Sequence, residues 1–198
     1  YVFIAEEYVN RQVIAIEPRK MWVTSSVTTG KKIEHMLRPG FCLSRYGDAG
    51  YGELVKQGKY SKEKRFCDEL VGKSAQMLRP FVGEHGITHV CPVPSLRSGI
   101  VADFTRRLAA SLKLEYTELL VKTEAVPQKR MENSAHQCEN AYRSFHVAGS
   151  SVLPKNILLV DDVVDSRWTL TVCGFRLMEA GAENVYPFAL ADSSNRED

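Results

Sequence analysis

Two adjacent carboxylates and a short polar turn follow an apolar run in the last quarter of this 198-residue chain. The run at residues 157–160 predicts a strand buried on both faces, as in the middle of a parallel sheet. Asp161 and Asp162 come directly after it, at the edge where open α/β sheets bind ligands. The polar turn at 165–167 then precedes apolar residues at helical spacing. The order strand, acidic pair, turn and helix predicts a ligand site.

The chemistry of such a site follows from its parts. A helix start presents unpaired backbone N–H groups and the positive end of the helix dipole, which suit phosphate. Carboxylates accept hydrogen bonds from hydroxyl groups and bind hard cations. We therefore expect a ligand that carries phosphate together with hydroxyl groups or a bound Mg²⁺.

The stretch at 157–170, ILLVDDVVDSRWTL, resembles the phosphoribosyl pyrophosphate (PRPP) signature of type I phosphoribosyltransferases. That signature is an apolar strand, two acidic residues, two apolar residues and a small-residue loop that ends in Thr before a helix. The chain matches it through Val164 and again at Thr169 and Leu170. Between them it departs, because the family usually has Thr, a small residue and Gly where this chain has residues 165–167, and Trp168 is bulkier than usual.

In this altered form the chain resembles more closely the phosphoribosyltransferase-like domain at the C-terminal end of bacterial RecQ-type ATP-dependent DNA helicases. It is also similar to the competence protein F phosphoribosyltransferases. In the first 60 residues the resemblance rests on Pro18-Arg19, Trp22, the Gly47-Asp48 turn and the Gly58-Lys59 pair. The resemblance implies helicase domains in the same polypeptide, and a start without Met is what an excised domain would show.

The resemblance implies a role for each residue of the acidic pair and of the turn. Asp161 and Asp162 would be catalytic and hold the ribose hydroxyls, directly or through Mg²⁺. The 5′-phosphate would lie in the loop formed by Asp165, Ser166, Arg167, Trp168 and Thr169. A carboxylate in this loop repels a phosphate by several kcal/mol in a dry pocket and by about 1 kcal/mol in a wet one. Arg167 could offset that charge, and Trp168 could lie against the helix or over the pocket.

Ser95 and Arg97 follow another predicted strand, at 87–93. By the resemblance, their loop would bind the pyrophosphate of PRPP, and the guanidinium donors of Arg97 match phosphate oxygens. An ordinary turn with an exposed Arg is the alternative.

Lys129 and Arg130 lie in a polar segment, 122–133, without periodicity. The family has a flexible catalytic loop at this place, so these two cations would neutralise the departing pyrophosphate, with Gln128 and Asn133 as polar contacts. A plain exposed loop with surface cations is the alternative.

Composition sets limits on the class of protein. The net charge of +2 does not by itself argue for nucleic acid. The five cysteines are widely spaced without a C-x-x-C pair, so we expect neither a disulfide framework nor zinc, but reduced core cysteines in a cytoplasmic protein. No apolar run is long enough to span a membrane.

The alternation of strands and helices from residue 87 onward predicts an α/β fold, a parallel twisted sheet flanked by helices of the type I phosphoribosyltransferase kind. We expect a small β-rich lobe over 1–60 and the α/β domain over 61–198, which would begin with a helix over 62–81 capped by Ser61. A helix over 100–112, a strand over 116–121 and a last strand over 185–190 follow. The basic cluster at 56–65 could follow a nucleic-acid backbone or be a solvated surface.

Three functions remain open at this point. The chain could be an accessory domain that binds PRPP or a related phosphate or nucleotide ligand, an active Mg²⁺-dependent phosphoribosyltransferase with an unidentified base or amine acceptor, or a DNA-contacting module. Asp165 and Trp168 favour the first function, whereas the intact Asp161, Asp162 and Thr169 keep the second open.

Overall fold

The computed structural model describes residues 13–124, 133–149 and 152–194. Within these ranges the elements in chain order are β1 (Ile14–Ile16), β2 (Gly40–Arg45), α1 (Tyr51–Tyr60), α2 (Asp68–His85), β3 (His89–Pro92), α3 (Ile100–Leu112), β4 (Glu115–Tyr116), β5 (Leu120–Lys122), α4 (Ser134–Ser144), β6 (Phe145–Val147), β7 (Asn156–Val164), α5 (Trp168–Glu179) and β8 (Asn184–Asp192). Of the described residues, no helix is long and apolar enough to cross a membrane.

The main sheet has six strands in the order β1-β2-β8-β7-β3-β4. Strand β1 runs antiparallel to β2 at one edge, and the other neighbouring pairs are parallel. Helices cover both faces, so the predicted α/β fold with a parallel sheet is confirmed. Strands β5 and β6 pair separately as a two-stranded antiparallel sheet.

Strand β7 lies in the middle of the sheet between β3 and β8. Its residues 157–160 are fully buried, and they alternate between two hydrophobic cores, with Ile157 and Leu159 on one face and Leu158 and Val160 on the other. Each such side chain contributes about 1.5–3 kcal/mol by leaving water. The prediction of a strand buried on both faces is therefore confirmed.

The two cores lie on opposite faces of the sheet. One is covered by α4, α5 and the two-stranded sheet, with Leu37 from the segment before β2. The other is covered by α1, α2 and α3. Four of the five cysteines are buried in the described structure, as predicted for cysteines of the core.

The predicted helix over 62–81 is wrong in its bounds. Ser61 ends α1 rather than starting the next helix, since its N–H donates to Gln57 O. Phe66 is fully buried in the connection before α2, which begins only at Asp68. The helix α2 also continues through Pro80 until Gly86 ends it in the left-handed conformation. The spacing of apolar residues alone could not show that Phe66 is buried in a connecting segment and not on the face of a helix.

Three other predictions concern element bounds. The helix over 100–112 is confirmed. The strand over 116–121 is wrong, because β4 and β5 belong to different sheets with an irregular segment between them. Strand β7 runs on to Val164, so Asp161 and Asp162 lie within the last residues of the strand rather than after it.

The N-terminal part that the structure describes shares the main sheet. Strands β1 and β2 pair with each other, and β2 pairs in parallel with β8, while residues 51–60 are helical instead of β-rich. Val55 of α1 packs in the same core as α2 and α3. The domain boundary at residue 60 stays a prediction.

Candidate ligand site at the carboxyl edge of the sheet

The acidic pair lies at the carboxyl end of β7. Because side chains alternate along a strand, Asp161 shares the face of Leu159 and Asp162 shares the face of Val160. Asp161 Oδ1 accepts the N–H of Asp162 at 2.8 Å, and Asp162 Oδ1 accepts the N–H of Val163 at 2.7 Å. Both residues are half-buried. Burial, and then the charge of Asp162, raise the pKa of Asp161 above the ordinary range of a carboxyl group.

Asp162 has a basic partner that sequence reasoning did not assign to it. The Nζ atom of Lys59, in the last turn of α1, lies 3.1 Å from Asp162 Oδ2. Only 15% of the Asp162 side chain and 34% of the Lys59 side chain are exposed. The sequence singled out Lys59 in the Gly58-Lys59 pair and in the basic cluster at 56–65, and neither indicates a contact with Asp162.

A second ion pair lies at the same edge. Arg45 at the end of β2 approaches Asp192 at the end of β8, with Nη1 3.3 Å from Oδ2. These two residues are also paired in the register of the strands. The carboxyl edge of β2, β8 and β7 therefore carries two acid–base pairs side by side.

The loop before α5 is bound to the N-terminal segment by Arg19. Its Nε and Nη2 atoms both donate to Ser166 O, at 2.9 and 2.6 Å. Its guanidinium lies 4.0 Å from the centre of the Trp168 ring. Burial, and then the charge of Arg167, lower the pKa of Arg19. The carbonyl and the ring together hold the loop against residue 19.

Arg167 does not pair with Asp165 in the structure, and its contact with a phosphate stays a prediction. Its Nη1 donates to Glu17 O at 2.6 Å, so the side chain lies along the N-terminal segment and pairs with neither Asp165 nor the loop interior. Its backbone adopts the left-handed conformation, with φ of 68°. This conformation favours glycine, which the family has at this position by the resemblance.

Trp168 was predicted to line the phosphate loop, but its side chain cannot contact a ligand there. Its side chain is 1% exposed, and its Nε1 donates to Ser134 Oγ at 2.7 Å. The ring stacks on Trp22 with 6.1 Å between centroids. The indole therefore packs in the core under the loop and does not cover a pocket, and only its backbone can face a ligand.

The remaining loop residues are available for a ligand. Asp165 is exposed, and Ser166 and Thr169 are half-exposed. An exposed carboxylate is screened by water, so its repulsion of a phosphate is on the order of 1 kcal/mol. The first N–H groups of α5 have no partner within the helix, and that of Trp168 donates to Ser166 Oγ at 3.5 Å. These groups and the two hydroxyls can bind an anion.

Ser95 and Arg97 lie on a loop that starts beside the acidic pair. Val93 N donates to Val160 O, which fixes the start of this loop next to Asp161 on the neighbouring strand. The loop lines a cleft of about 410 Å³ together with Glu118 and Leu120. The described residues that line this cleft do not include Asp161 or Asp162, so the cleft and the acidic pair are neighbours and not one cavity.

Lys129 and Arg130, with Gln128, lie outside the described residues. Asn133 is described, and its side chain accepts the N–H of His136 as the N-cap of α4. The side chain that was predicted to contact a ligand is therefore already bound through its oxygen to the start of α4. The basic cluster at 56–65 is also partly engaged, since Lys59 pairs with Asp162 and Arg65 with Asp68.

The described side chains at this edge of the sheet are too few to bind Mg²⁺ without oxygens from a ligand. Within the described ranges no group of three or more His, Cys, Asp or Glu side chains could hold a metal ion. At the acidic pair, the Lys59 ammonium already neutralises Asp162 at 3.1 Å. A Mg²⁺ ion that arrives with PRPP stays a prediction.

Comparisons with known proteins give only distant similarities. No family model matches the chain, and no curated protein matches it. Similar solved structures include an adenine phosphoribosyltransferase (15% identity, TM-score 0.44, 65% of this chain and 81% of that chain). The adenine phosphoribosyltransferase from Saccharomyces cerevisiae has 18% identity and a TM-score of 0.42, over 62% of this chain and 68% of that chain. The purine phosphoribosyltransferase from Pyrococcus horikoshii has 14% identity and a TM-score of 0.41, over 68% and 93%. Values this low do not assign the chain to a family.

Proposed function

We propose that this chain binds PRPP or a related phosphorylated pentose at the carboxyl edge of its sheet, in an accessory or regulatory role. The main support for the proposal is that three candidate ligand-binding features lie close together at that edge. The acidic pair lies in the last residues of β7, the 94–99 loop starts beside it, and the residues after β7 lead into the N-terminus of α5. Open α/β sheets bind ligands at this edge.

Each feature suits a different part of the ligand. Asp161 and Asp162 would accept hydrogen bonds from ribose hydroxyls. The N–H groups at the start of α5, with Ser166 and Thr169, would hold the 5′-phosphate. Arg97 would meet the pyrophosphate, because a guanidinium matches phosphate oxygens and this one is exposed and forms no ion pair with any described residue.

The direct test is calorimetric titration of the chain with PRPP in the presence of millimolar Mg²⁺. We expect saturable binding that the Asp161→Asn/Asp162→Asn variant loses. The matched control is Glu69→Gln/Glu84→Gln, which removes two exposed carboxylates from α2 and should leave binding unchanged. No heat of binding at millimolar PRPP would exclude the proposal.

Phosphoribosyl transfer to a base or amine is the second candidate. It is favoured by the exposed guanidinium of Arg97, which can neutralise pyrophosphate as its bond to the sugar breaks. Lys129 and Arg130 would assist from their loop. The test is pyrophosphate release from PRPP in the presence of a panel of bases and amines. Release that Arg97→Met abolishes would support transfer, whereas no release with any acceptor leaves a binding domain.

The resemblance adds a proposal about the whole protein, namely that this chain is the C-terminal domain of a cytoplasmic RecQ-type DNA helicase. Its basis is the altered signature at 165–168 and the residues quoted for the first 60 positions. An antibody against this chain should then detect a native protein far larger than 198 residues. A native protein of about that size would exclude helicase domains in the same polypeptide. DNA binding by the basic cluster at 56–65 stays a prediction.

A further inference from the structure

Lys59 is placed at the acidic pair by close packing of α1. A Cβ added at Gly52 would lie 1.9 Å from Arg45 O, and one at Gly58 would lie 2.6 Å from Phe66 Cδ1. Only glycine allows the helix to approach the end of β2 and the buried ring so closely. The last turn of α1 thus holds the Lys59 ammonium beside the end of β7, where it pairs with Asp162.

The pair is more than an exposed surface contact. The two side chains are largely shielded from water, and the atoms are 3.1 Å apart. An exposed pair is weakened by water and salt, whereas shielding preserves the attraction. Lys59 also stands in the last turn of α1, where the helix dipole favours a cation.

An ammonium in this position can perform the task of a bridging metal ion. Where Mg²⁺ serves a phosphorylated substrate, it is usually bound by one or two carboxylates and by phosphate oxygens of the substrate. Lys59 has three N–H donors, of which one is directed to Asp162 Oδ2. The other two can bind hydroxyl or phosphate oxygens of a ligand beside the same carboxylate.

We propose that Lys59 takes the place of a divalent cation at the acidic pair, so that this chain binds a phosphorylated pentose without Mg²⁺. The inference rests on the proposed function and defines its cofactor requirement. In this proposal Lys59 contributes to binding. The alternative is that Lys59 blocks Asp162 and has to move away before a ligand binds.

The test is calorimetric titration with PRPP in two buffers, one with millimolar Mg²⁺ and one with EDTA. We expect the wild-type chain to bind with a similar Kd in both. Lys59→Met should weaken binding in EDTA by about tenfold, the loss of one charge-assisted hydrogen bond, and millimolar Mg²⁺ should restore part of it. Lys56→Met is the matched control, because Lys56 is exposed on the same helix, and it should bind like the wild type in both buffers.

The other outcomes separate this inference from the proposed function. Wild-type binding only with Mg²⁺ would overturn the role of Lys59 and leave the proposed function standing. Tighter binding by Lys59→Met in EDTA would show that Lys59 competes with the ligand, which also overturns it. No binding in either buffer would overturn both. Thermal unfolding of both variants without ligand shows whether they are folded.

Discussion

The ring of Trp22 stacks on the ring of Trp168, with an interplanar angle of 10° and 6.1 Å between centroids. Trp168 opens α5 directly after the candidate phosphate loop, so the stack ties that loop to the segment before β2. Arg19 extends the contact by lying over the same ring and binding Ser166 O. The loop is therefore held by aromatic and guanidinium contacts where the family, by the resemblance, has small residues.

We predict that Trp22→Ala destabilises the fold by about 2–3 kcal/mol, because the half-buried ring packs against Trp168 and makes edge contacts with Tyr142 and Phe175. Met21→Ala is the control, since Met21 is 52% exposed and should change stability by less than about 0.5 kcal/mol. Urea unfolding followed by circular dichroism measures both. Equal effects of the two substitutions would contradict a stabilising role for the stack of Trp22 on Trp168.

Arg167 provides a test of backbone strain in the loop. Arg167→Gly and Arg167→Ala both remove the hydrogen bond to Glu17 O, but only glycine adopts a φ of 68° without cost. We expect the Gly variant to be more stable than the Ala variant by about 1 kcal/mol. Thermal or urea unfolding of the two proteins gives the difference. An Ala variant as stable as the Gly variant would mean that the loop relaxes into another conformation.

Gly58 and Gly72 form a matched pair of helical glycines. A Cβ at Gly58 would lie 2.6 Å from Phe66 Cδ1, whereas a Cβ at Gly72 would meet no described atom outside its own helix within 4 Å. Gly58→Ala should therefore destabilise the chain by about 1–3 kcal/mol, and Gly72→Ala should stabilise it by up to about 1 kcal/mol through helix propensity. Both are measured by urea unfolding. Stabilisation by both substitutions would show that α1 can move away from Phe66.

The acidic pair predicts a specific pH dependence of stability. Burial and the nearby Asp162 raise the pKa of Asp161, so the folded chain holds the proton more tightly than the unfolded chain does. The free energy of unfolding is then lowered as the pH rises above about 4, the ordinary pKa of a carboxyl group. Asp161→Asn keeps an acceptor for Asp162 N and removes the charge, so it should stabilise the chain at neutral pH by about 1–3 kcal/mol.

The measurement for Asp161 is urea unfolding of the wild type and of Asp161→Asn at pH 5 and pH 8. The advantage of the variant should grow with pH, because the wild-type carboxyl group keeps its proton in the folded chain but loses it on unfolding. A constant difference between the two proteins, or an advantage that shrinks with rising pH, would contradict the raised pKa.

The sequence was sufficient to predict those helices and strands that are specified by a pattern of neighbouring residues. The run at 157–160 and the apolar spacing of 100–112 each specify one element, and both are confirmed. Phe66 shows where local reasoning fails, because its apolar side chain fits a helix face equally well but fills the core from a connection. Only the packed structure distinguishes these two cases.

The candidate site was predicted in part for the same reason. The acidic pair and the start of α5 are adjacent in sequence, so their proximity could be expected. The contacts of Lys59 with Asp162 and of Arg19 with Ser166 join residues more than a hundred positions apart, and nothing in the spacing indicates them. The resemblance did include Arg19, Trp22 and Lys59, and each of them contacts the acidic pair or the loop.

The most direct test of the central claim is an NMR titration of the isotopically labelled chain with PRPP, followed through its backbone amide signals. We predict concentration-dependent shifts at 161–163, at 165–170 and at 95–99, which include the N–H groups at the start of α5. Unchanged amides at these positions at millimolar PRPP, or shifts confined to another surface, would contradict a ligand site at the carboxyl edge of the sheet.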